Sequence, residues 1–254
     1  MHRRILIVTA VAAEADSVAG GLADGPARPA AELPVPGGLV LRRYENGDGP
    51  HGVDVLDVLV GGVGPAAVAA ATGAALTRAA LAGEPYGLVV SAGIAGGFPG
   101  RAPLGSLVVS DAIVAADLGA DTPDGYVPVD GLGFGRSVHR VPDALTGPAA
   151  AALAAAGLPH TTGAVLTVST VTGTAARADE LAARHPGAAA EAMEGFGVAE
   201  AAAAHGTPVL ELRAVSNAVG PRDRAAWRIG DALAALRRAV TALAPTLSEA
   251  RPCS

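Results

Sequence analysis

Along this chain, short, largely apolar runs alternate with longer alanine-rich stretches of helical period. Apolar runs too short for helices read as strands, the first of them buried on both faces and Tyr86 to Ser91 and Val209 to Val215 interior. They are Ile5 to Thr9, Leu39 to Tyr44, Val53 to Val60, Tyr86 to Ser91, Ser106 to Val114, Gly163 to Val171 and Val209 to Val215. Helices are predicted over Ala12 to Leu22, Ala66 to Leu81, Asp143 to Ala156, Ala175 to Arg184, the alanines after Glu194, and Arg224 to Leu243. In the last, Ile229, Leu233, Leu236, Val240 and Leu243 mark one face. Gly61-Gly62-Val63-Gly64-Pro65 turns the chain into the second helix, with Pro at its first turn and Gly83 past its end. Asn46-Gly47 supports a hairpin between two early strands.

Three stretches lack either period. Ala23 to Gly38 reads as a surface excursion, and Ala92 to Gly105 as a Gly/Pro loop. Ala115 to Gly135 scatters Asp117, Asp121, Asp124 and Asp130 among Gly and Pro, with a hairpin signal at Tyr126 to Val129. Loops of that length are usually functional or mobile. Strands alternating with helices predict a three-layer α/β/α sandwich, and the hairpin makes its sheet mixed. No repeat or linker divides residues 1–254, which read as a single domain.

Composition narrows the function. Half of the 254 residues are hydrophobic and 17% are charged, the profile of a globular enzyme. A net charge of −6 without a basic stripe excludes nucleic acid as a partner. All 18 basic residues are Arg, which removes Schiff-base and P-loop lysines together. The six histidines lack zinc-ligand spacing, so no metal is expected. The sole cysteine, Cys253, permits no internal disulfide, as in a cytoplasmic protein. Met1 to Arg4 followed by Ile5 to Ala13 has the outline of a short signal peptide. A buried first strand explains the same residues. No run reaches the roughly 20 apolar residues that cross a membrane.

Candidate chemistry concentrates in Glu191 to Asp223, read as acidic turn, alanine-rich helix, buried strand and a polar Ser216-Asn217 end. In open α/β sheets, ligands sit off the carboxyl ends of strands. Glu194 beside Met193, and Asn217, could hold a small polar molecule there. Equally, Glu194 could serve only the helix dipole and Asn217 only a turn. Ser91-Ala92-Gly93-Ile94-Ala95-Gly96-Gly97 carries three glycines after a buried strand, able to converge backbone N–H groups on an anion or a sugar hydroxyl. It contains no arginine, and Arg101 lies some residues on. Gly62 to Ala67 fits G-x-G-x-x-A but stands off the first strand unit, against a dinucleotide site.

Ile5 to Glu14, Gly61 to Pro65, Ser91 to Gly97 and Ala192 to Asn217 together resemble the nucleoside phosphorylase / nucleosidase superfamily. The blocks MEGFGVAEA and RAVSNAVGPRD are the specific part. The resemblance implies a partly barrel-like central sheet, no cofactor, a small-molecule nucleoside substrate and at least a homodimer. It gives Glu14 the role of activating water, Glu194 the ribose hydroxyls and Met193 the sugar face. Gly93, Ile94, Ala95 and Gly96 would line the ribose, and Val171 to Gly173 would border the base. Asp223 would assist the base or pair with Arg222 or Arg224.

Asn217 stands where adenine-specific nucleosidases have an aspartate. With a 6-oxopurine, O6 accepts and protonated N7 donates, and a carboxamide answers both. With adenine, N6 and protonated N7 both donate, which suits a carboxylate. The expected reaction is therefore hydrolysis of a 6-oxopurine nucleoside. A 5′ carboxylate on it would call for Arg101, Arg136 or Arg222. The alternatives are a phosphorylase, which needs a cationic cradle, an adenine-type nucleosidase, and a non-catalytic nucleoside-binding protein.

Overall fold

The computed structural model describes residues 4–22, 29–46 and 54–249. Its central strand, β1 (Arg4–Thr9), is buried on both faces. Ile5 and Ile7 pack into one cluster, and Leu6 and Val8 into another. That double burial is why the opening run reads as continuously apolar, and it places this segment inside the fold. β4 (Asp54–Val60) and β5 (Leu88–Gly97) flank β1 in parallel.

On the first face lie α1 (Ala12–Leu22), α3 (Asp143–Ala155) and α6 (Ile229–Glu249), burying Ala15, Leu153, Leu236 and Leu243 against Ile5, Leu56 and Leu88. On the second lie α2 (Pro65–Leu81) and α5 (Gly195–Ala204), burying Val68, Leu76, Val198 and Ala202 against Leu6, Leu59 and Val89. The expected three layers are present. Among the described residues no helix is long and apolar enough to cross a membrane.

The second half of the sheet closes on itself. β6 (Leu107–Ala115), β10 (His160–Thr167), β11 (Ala188–Ala192) and β12 (Val209–Ala218) continue the sheet, in the order β11-β10-β6-β12-β5. An additional β11–β5 pairing then joins the two ends. Both parallel and antiparallel pairs occur, so the sheet is mixed and partly barrel-like. α4 (Ala175–Arg184) packs Ala178 and Leu181 beside the closure, with Leu166, Ala188 and Val219.

Three expectations need correction, and a fourth, the hairpin near Tyr126 to Val129, is present and begins earlier, at Gly119. Ala92 to Gly97 is not loop but the far half of β5, paired to β12 and β11. Its glycines serve close approach instead of turning, and none has positive φ. The surface excursion contains β2 (Ala31–Val35), an antiparallel edge strand on β3 (Leu39–Asn46). Its Pro34 is a residue that edges tolerate. Glu191 belongs to strand β11, not to a turn. The stretch 115–135 holds a hairpin of β7 (Gly119–Thr122) and β8 (Gly125–Pro128), ahead of β9 (Val138–Arg140) on β6. β3 and β4 pair antiparallel up to Asn46 and Asp54, while the Gly47 turn lies outside the described residues.

Gly97 is where closure leaves no room. A Cβ there would stand 2.2 Å from the Ala102 carbonyl oxygen and 2.7 Å from Val215 Cγ1. Gly97→Ala is expected to cost about 1–3 kcal/mol, as overpacking does, measured by urea unfolding. A midpoint unchanged from the parent would mean the closure is loosely packed.

Candidate active site

Where β1 ends, the chain turns at Ala10 and Val11 into α1, whose first turn holds Glu14. The carboxylate curls back on that turn: the Ala10 and Val11 N–H groups donate to Oε2 at 2.9 and 3.2 Å. The Ile94 N–H of β5 donates to Oε1 at 2.8 Å. Glu14 is thus 4% exposed and fixed by three backbone donors. A Cβ on Gly93 would lie 2.6 Å from Glu14 Oε1 and 2.8 Å from Arg213 Nη1. Glycine at that position lets an anion and a cation converge over one backbone site.

Arg213 comes from β12 and is fully buried. Its Nε donates to Glu211 Oε1 at 2.9 Å, Nη1 to Glu194 Oε2 at 3.1 Å and Nη2 to Ser91 Oγ at 3.2 Å. Burial alone would push the guanidinium down, but Glu211, Glu194 and Glu14 push it up, and it remains charged. Burial pushes the Glu211 carboxyl up, with Arg213 opposing.

Glu194 stands at the N-cap of α5 without capping it. The Phe196 N–H is taken instead by Thr167 Oγ1 at 2.9 Å. Glu194 is free of the helix and points to Arg213, while the Gly64 N–H donates to its Oε1 at 3.3 Å. The turn Gly61 to Pro65 thereby reaches the site, with Gly62 and Gly64 both at φ +92°. Met193 is half-buried beside it, its own N–H donating to Glu194 Oε2 at 3.3 Å.

Asn217 lies at the end of β12, beyond an irregularity in pairing between Val215 and Asn217. Bulges of this kind re-aim side chains. Here the Asn217 Nδ2 would meet a Cβ on Gly96 at 3.2 Å. Its Oδ1 accepts from Ser216 Oγ at 2.8 Å, and Nδ2 donates to the Ala218 carbonyl at 3.0 Å.

The structure therefore brings Glu14, Glu194, Met193, Gly93 and Ile94 together around Arg213, with Ala95, Gly96 and Asn217 further along the same strand pair. Val171 is past the end of β10 and exposed. The engaged residue of that loop is Thr172, whose N–H donates to Glu191 Oε1 at 2.9 Å and whose hydroxyl donates to Oε2. Burial pushes the Glu191 carboxyl up, and the two Thr172 donors oppose this. Asp223 pairs with neither Arg222 nor Arg224 among the described residues. It is exposed and caps a short 3₁₀ turn, accepting from the Ala225 N–H at 3.1 Å. Both arginines lie over Trp227 instead. Arg136 faces Glu200 at 3.5 Å. Arg101 binds the Pro186 carbonyl and lines a cavity of about 410 Å³ with Phe98, His185 and Val219.

Arg213 and Glu211 were missed from sequence. Two opposite charges inside the apolar run VLELRAV were the available signal, because a charge in a buried strand needs a partner.

Fold and site together are those of a phosphorylase-type α/β protein. A model of the Phosphorylase superfamily matches residues 4–250, and the chain belongs to that superfamily. Within it, the family is that of the futalosine hydrolases. The futalosine hydrolase of Streptomyces coelicolor is 60% identical over 252 residues, 99% of each chain. That of Acidothermus cellulolyticus is 48% identical over 247 residues, 96% of this chain and 91% of its own. Among solved structures, a methylthioadenosine/S-adenosylhomocysteine nucleosidase from Colwellia psychrerythraea in complex with adenine superposes with a TM-score of 0.79 at 20% identity, covering 100% of this chain and 99% of its own. The Helicobacter pylori futalosine hydrolase superposes with a TM-score of 0.78 at 17% identity, covering 96% and 98%.

Replacing Arg213 by Met is expected to cost about 3–5 kcal/mol, because Glu211 and Glu194 would keep their charge without a buried counter-ion. Urea unfolding checks this. Parent-like stability of R213M would mean that the carboxylates fold protonated.

Proposed function

We propose that the chain hydrolyses the N-ribosidic bond of futalosine, releasing hypoxanthine. The observation that carries this is the pair of buried carboxylates, Glu14 and Glu194, meeting Arg213 over Gly93. Breaking an N-ribosidic bond builds positive charge on the sugar and negative charge on the base. Two carboxylates fixed in advance oppose the first charge, and such preorganisation is usually the largest catalytic contribution. Glu14 accepts the proton of the attacking water, and Glu194 holds the ribose hydroxyls with Met193 on the sugar face. The Asn217 amide N–H donates to O6 of the departing base, and its carbonyl accepts from the protonated N7.

Water is favoured over phosphate as nucleophile. The cation beside Gly93 is Arg213, and each of its three nitrogens already donates, to Glu211, Glu194 and Ser91. A phosphate entering there would meet Glu14 and Glu194 as well as the arginine, a net repulsion. The other product, dehypoxanthinyl futalosine, belongs to menaquinone biosynthesis, a cytoplasmic pathway. Exposed Leu118, Leu132 and Phe134 around the β7–β8 hairpin support a homo-oligomer, a dimer at least.

Hypoxanthine release from futalosine is expected without phosphate, with inosine a poor substrate. Strict dependence on phosphate would make the chain a phosphorylase. Glu14→Gln should lower turnover by about 10²–10⁴-fold, the worth of a general base, while sparing hypoxanthine binding in calorimetry. Unchanged turnover would remove Glu14 from the mechanism. Asn217→Asp should move preference toward adenine as leaving group, read as the ratio of hypoxanthine to adenine release from matched nucleosides. An unaltered ratio would take base recognition away from this side chain.

A further inference from the structure

A loop that leaves the site and returns to it carries positive charge that no acid neutralises. β12 ends at Ala218, and the Val219 N–H donates to the Gly97 carbonyl at 2.9 Å. The segment 219–228 then comes back to the same strand end, where the Arg228 N–H donates to the Ser216 carbonyl at 2.7 Å. Tied at both ends beside Asn217, it holds Arg222, Arg224 and Trp227, and α6 starts directly after it.

The carboxylates Glu14 and Glu194 stand at the same end of the sheet. β1 and β12 both run parallel to β5, so α1 and α6, which follow them, run back in one direction. Gly21 of α1 packs against Arg237 and Val240 of α6, and Thr241 Oγ1 donates to the Gly21 carbonyl at 3.0 Å. Counting back equally from that contact brings the first turns of the two helices level. Three exposed apolar side chains lie around this end. Val11 is in the turn that holds Glu14, Val63 precedes the Gly64 that donates to Glu194, and Ile229 follows the returning loop.

Both guanidinium groups lie over one half-buried indole, the Arg222 Cζ 5.7 Å and the Arg224 Cζ 5.8 Å from its centre. Like charges gathered on one ring repel, and an anion between them relieves the repulsion. Among the described residues no side chain supplies it. Asp223 accepts from the Ala225 N–H, and neither arginine has an ion pair. The other two candidate arginines are engaged elsewhere. Arg101 donates to the Pro186 carbonyl, and Arg136 faces Glu200, whose Oε1 also lies 2.7 Å from His139 Nε2.

The geometry points to Arg222 and Arg224, stacked on Trp227, as the residues that bind the carboxylate on the 5′ substituent of the nucleoside. This rests on the reading of the chain as a hydrolase of futalosine. A guanidinium presents paired donors that match a carboxylate, and stacking on an aromatic face leaves its edge free while fixing its plane. Exposed ion pairs are weak because two long side chains must be ordered, and the indole orders these in advance. The field also orients the substrate. A carboxylate is repelled from the net negative region around Gly93 and drawn to the arginines, which turns the 5′ group outward and the sugar inward. Val11, Val63 and Ile229 cover the uncharged part of the substituent.

The test compares futalosine with its methyl ester, which keeps the 5′ group and removes its charge. In an Arg222→Gln/Arg224→Gln double variant, the futalosine-to-ester ratio of kcat/KM is expected to fall about 10-fold, the lower end for hydrogen bonds to a charged group because both arginines are exposed. The fall should lie in KM, since the carboxylate is remote from the bond that breaks. At about 1 M salt, where the Debye length is about 3 Å, KM for futalosine should rise in the parent and hold steady in the double variant. The single variants R222Q and R224Q should each lower the ratio in part, and carry the same reading should the double variant not fold. Equal losses on futalosine and ester, or the same salt response in parent and variant, would make the arginines a solvated surface and overturn the assignment. Failure of the parent to release hypoxanthine from futalosine would instead overturn the function itself. Equal efficiency of the parent on futalosine and ester would overturn the assignment alone.

Discussion

The site depends on one guanidinium that cannot be solvated. Arg213 lies in the interior strand β12 with 1% of its surface exposed, and a buried charge survives only when it is paired and hydrogen-bonded. Its partners come from different layers: Glu211 from its own strand, Ser91 from β5, and Glu194 from the start of α5. Glu14 of α1 adds its field without a direct bond. Backbone geometry is tailored to this cluster. A Cβ on Gly93 would strike Glu14 and Arg213, and one on Gly195 would come within 2.2 Å of Glu211 Oε1. Gly93, read as part of a Gly/Pro loop, and Gly195 are therefore clearances for charged side chains.

Committing the cation decides the nucleophile. In a phosphorylase, the arginine near the ribose must be free to meet an incoming dianion. Here a single positive charge is shared among three carboxylates, and the region around Gly93 is net negative. Such a surface attracts a neutral water and a sugar acquiring positive charge, and resists phosphate. Glu211 matters here although it is fully buried, since it occupies the Nε donor and leaves Nη1 and Nη2 aimed at Glu194 and Ser91.

Much of the fold was legible because its strands are buried on both faces. β1 is a continuous apolar run and β4, β6 and β12 are largely apolar, each bounded by turn residues, and the helices between them show their period. What escaped was written in residues without strand character. β11 is Ala-Ala-Ala-Glu-Ala, a helix-forming composition overruled by pairing with β10 and β5. The second half of β5 is glycine-rich and becomes strand because β12 and β11 hold both of its edges. Tertiary pairing of that kind has no local signature. In the site, Glu14, Glu194 and Asn217 stand out as polar residues at element ends, where ligands are met. Arg213 and Glu211 sit mid-strand, where the expectation of an apolar interior concealed them. Asp223 misled for a local reason: beside two arginines it suggested an ion pair, but the nearer backbone N–H of Ala225 takes its oxygen.

The two halves of the sheet divide the labour. The open half, β1 with α1 and the α5 entrance, delivers Glu14 and Glu194 to the neighbourhood of Arg213. Only the closed half, where β11 returns to β5, can bring Glu191 into line with Gly96 and Asn217. An open sheet would leave β11 at an edge, with three strands between Glu191 and β5. Closure therefore does more than remove an edge. It brings two polar residues, 26 apart in sequence, into register on opposite sides of one glycine.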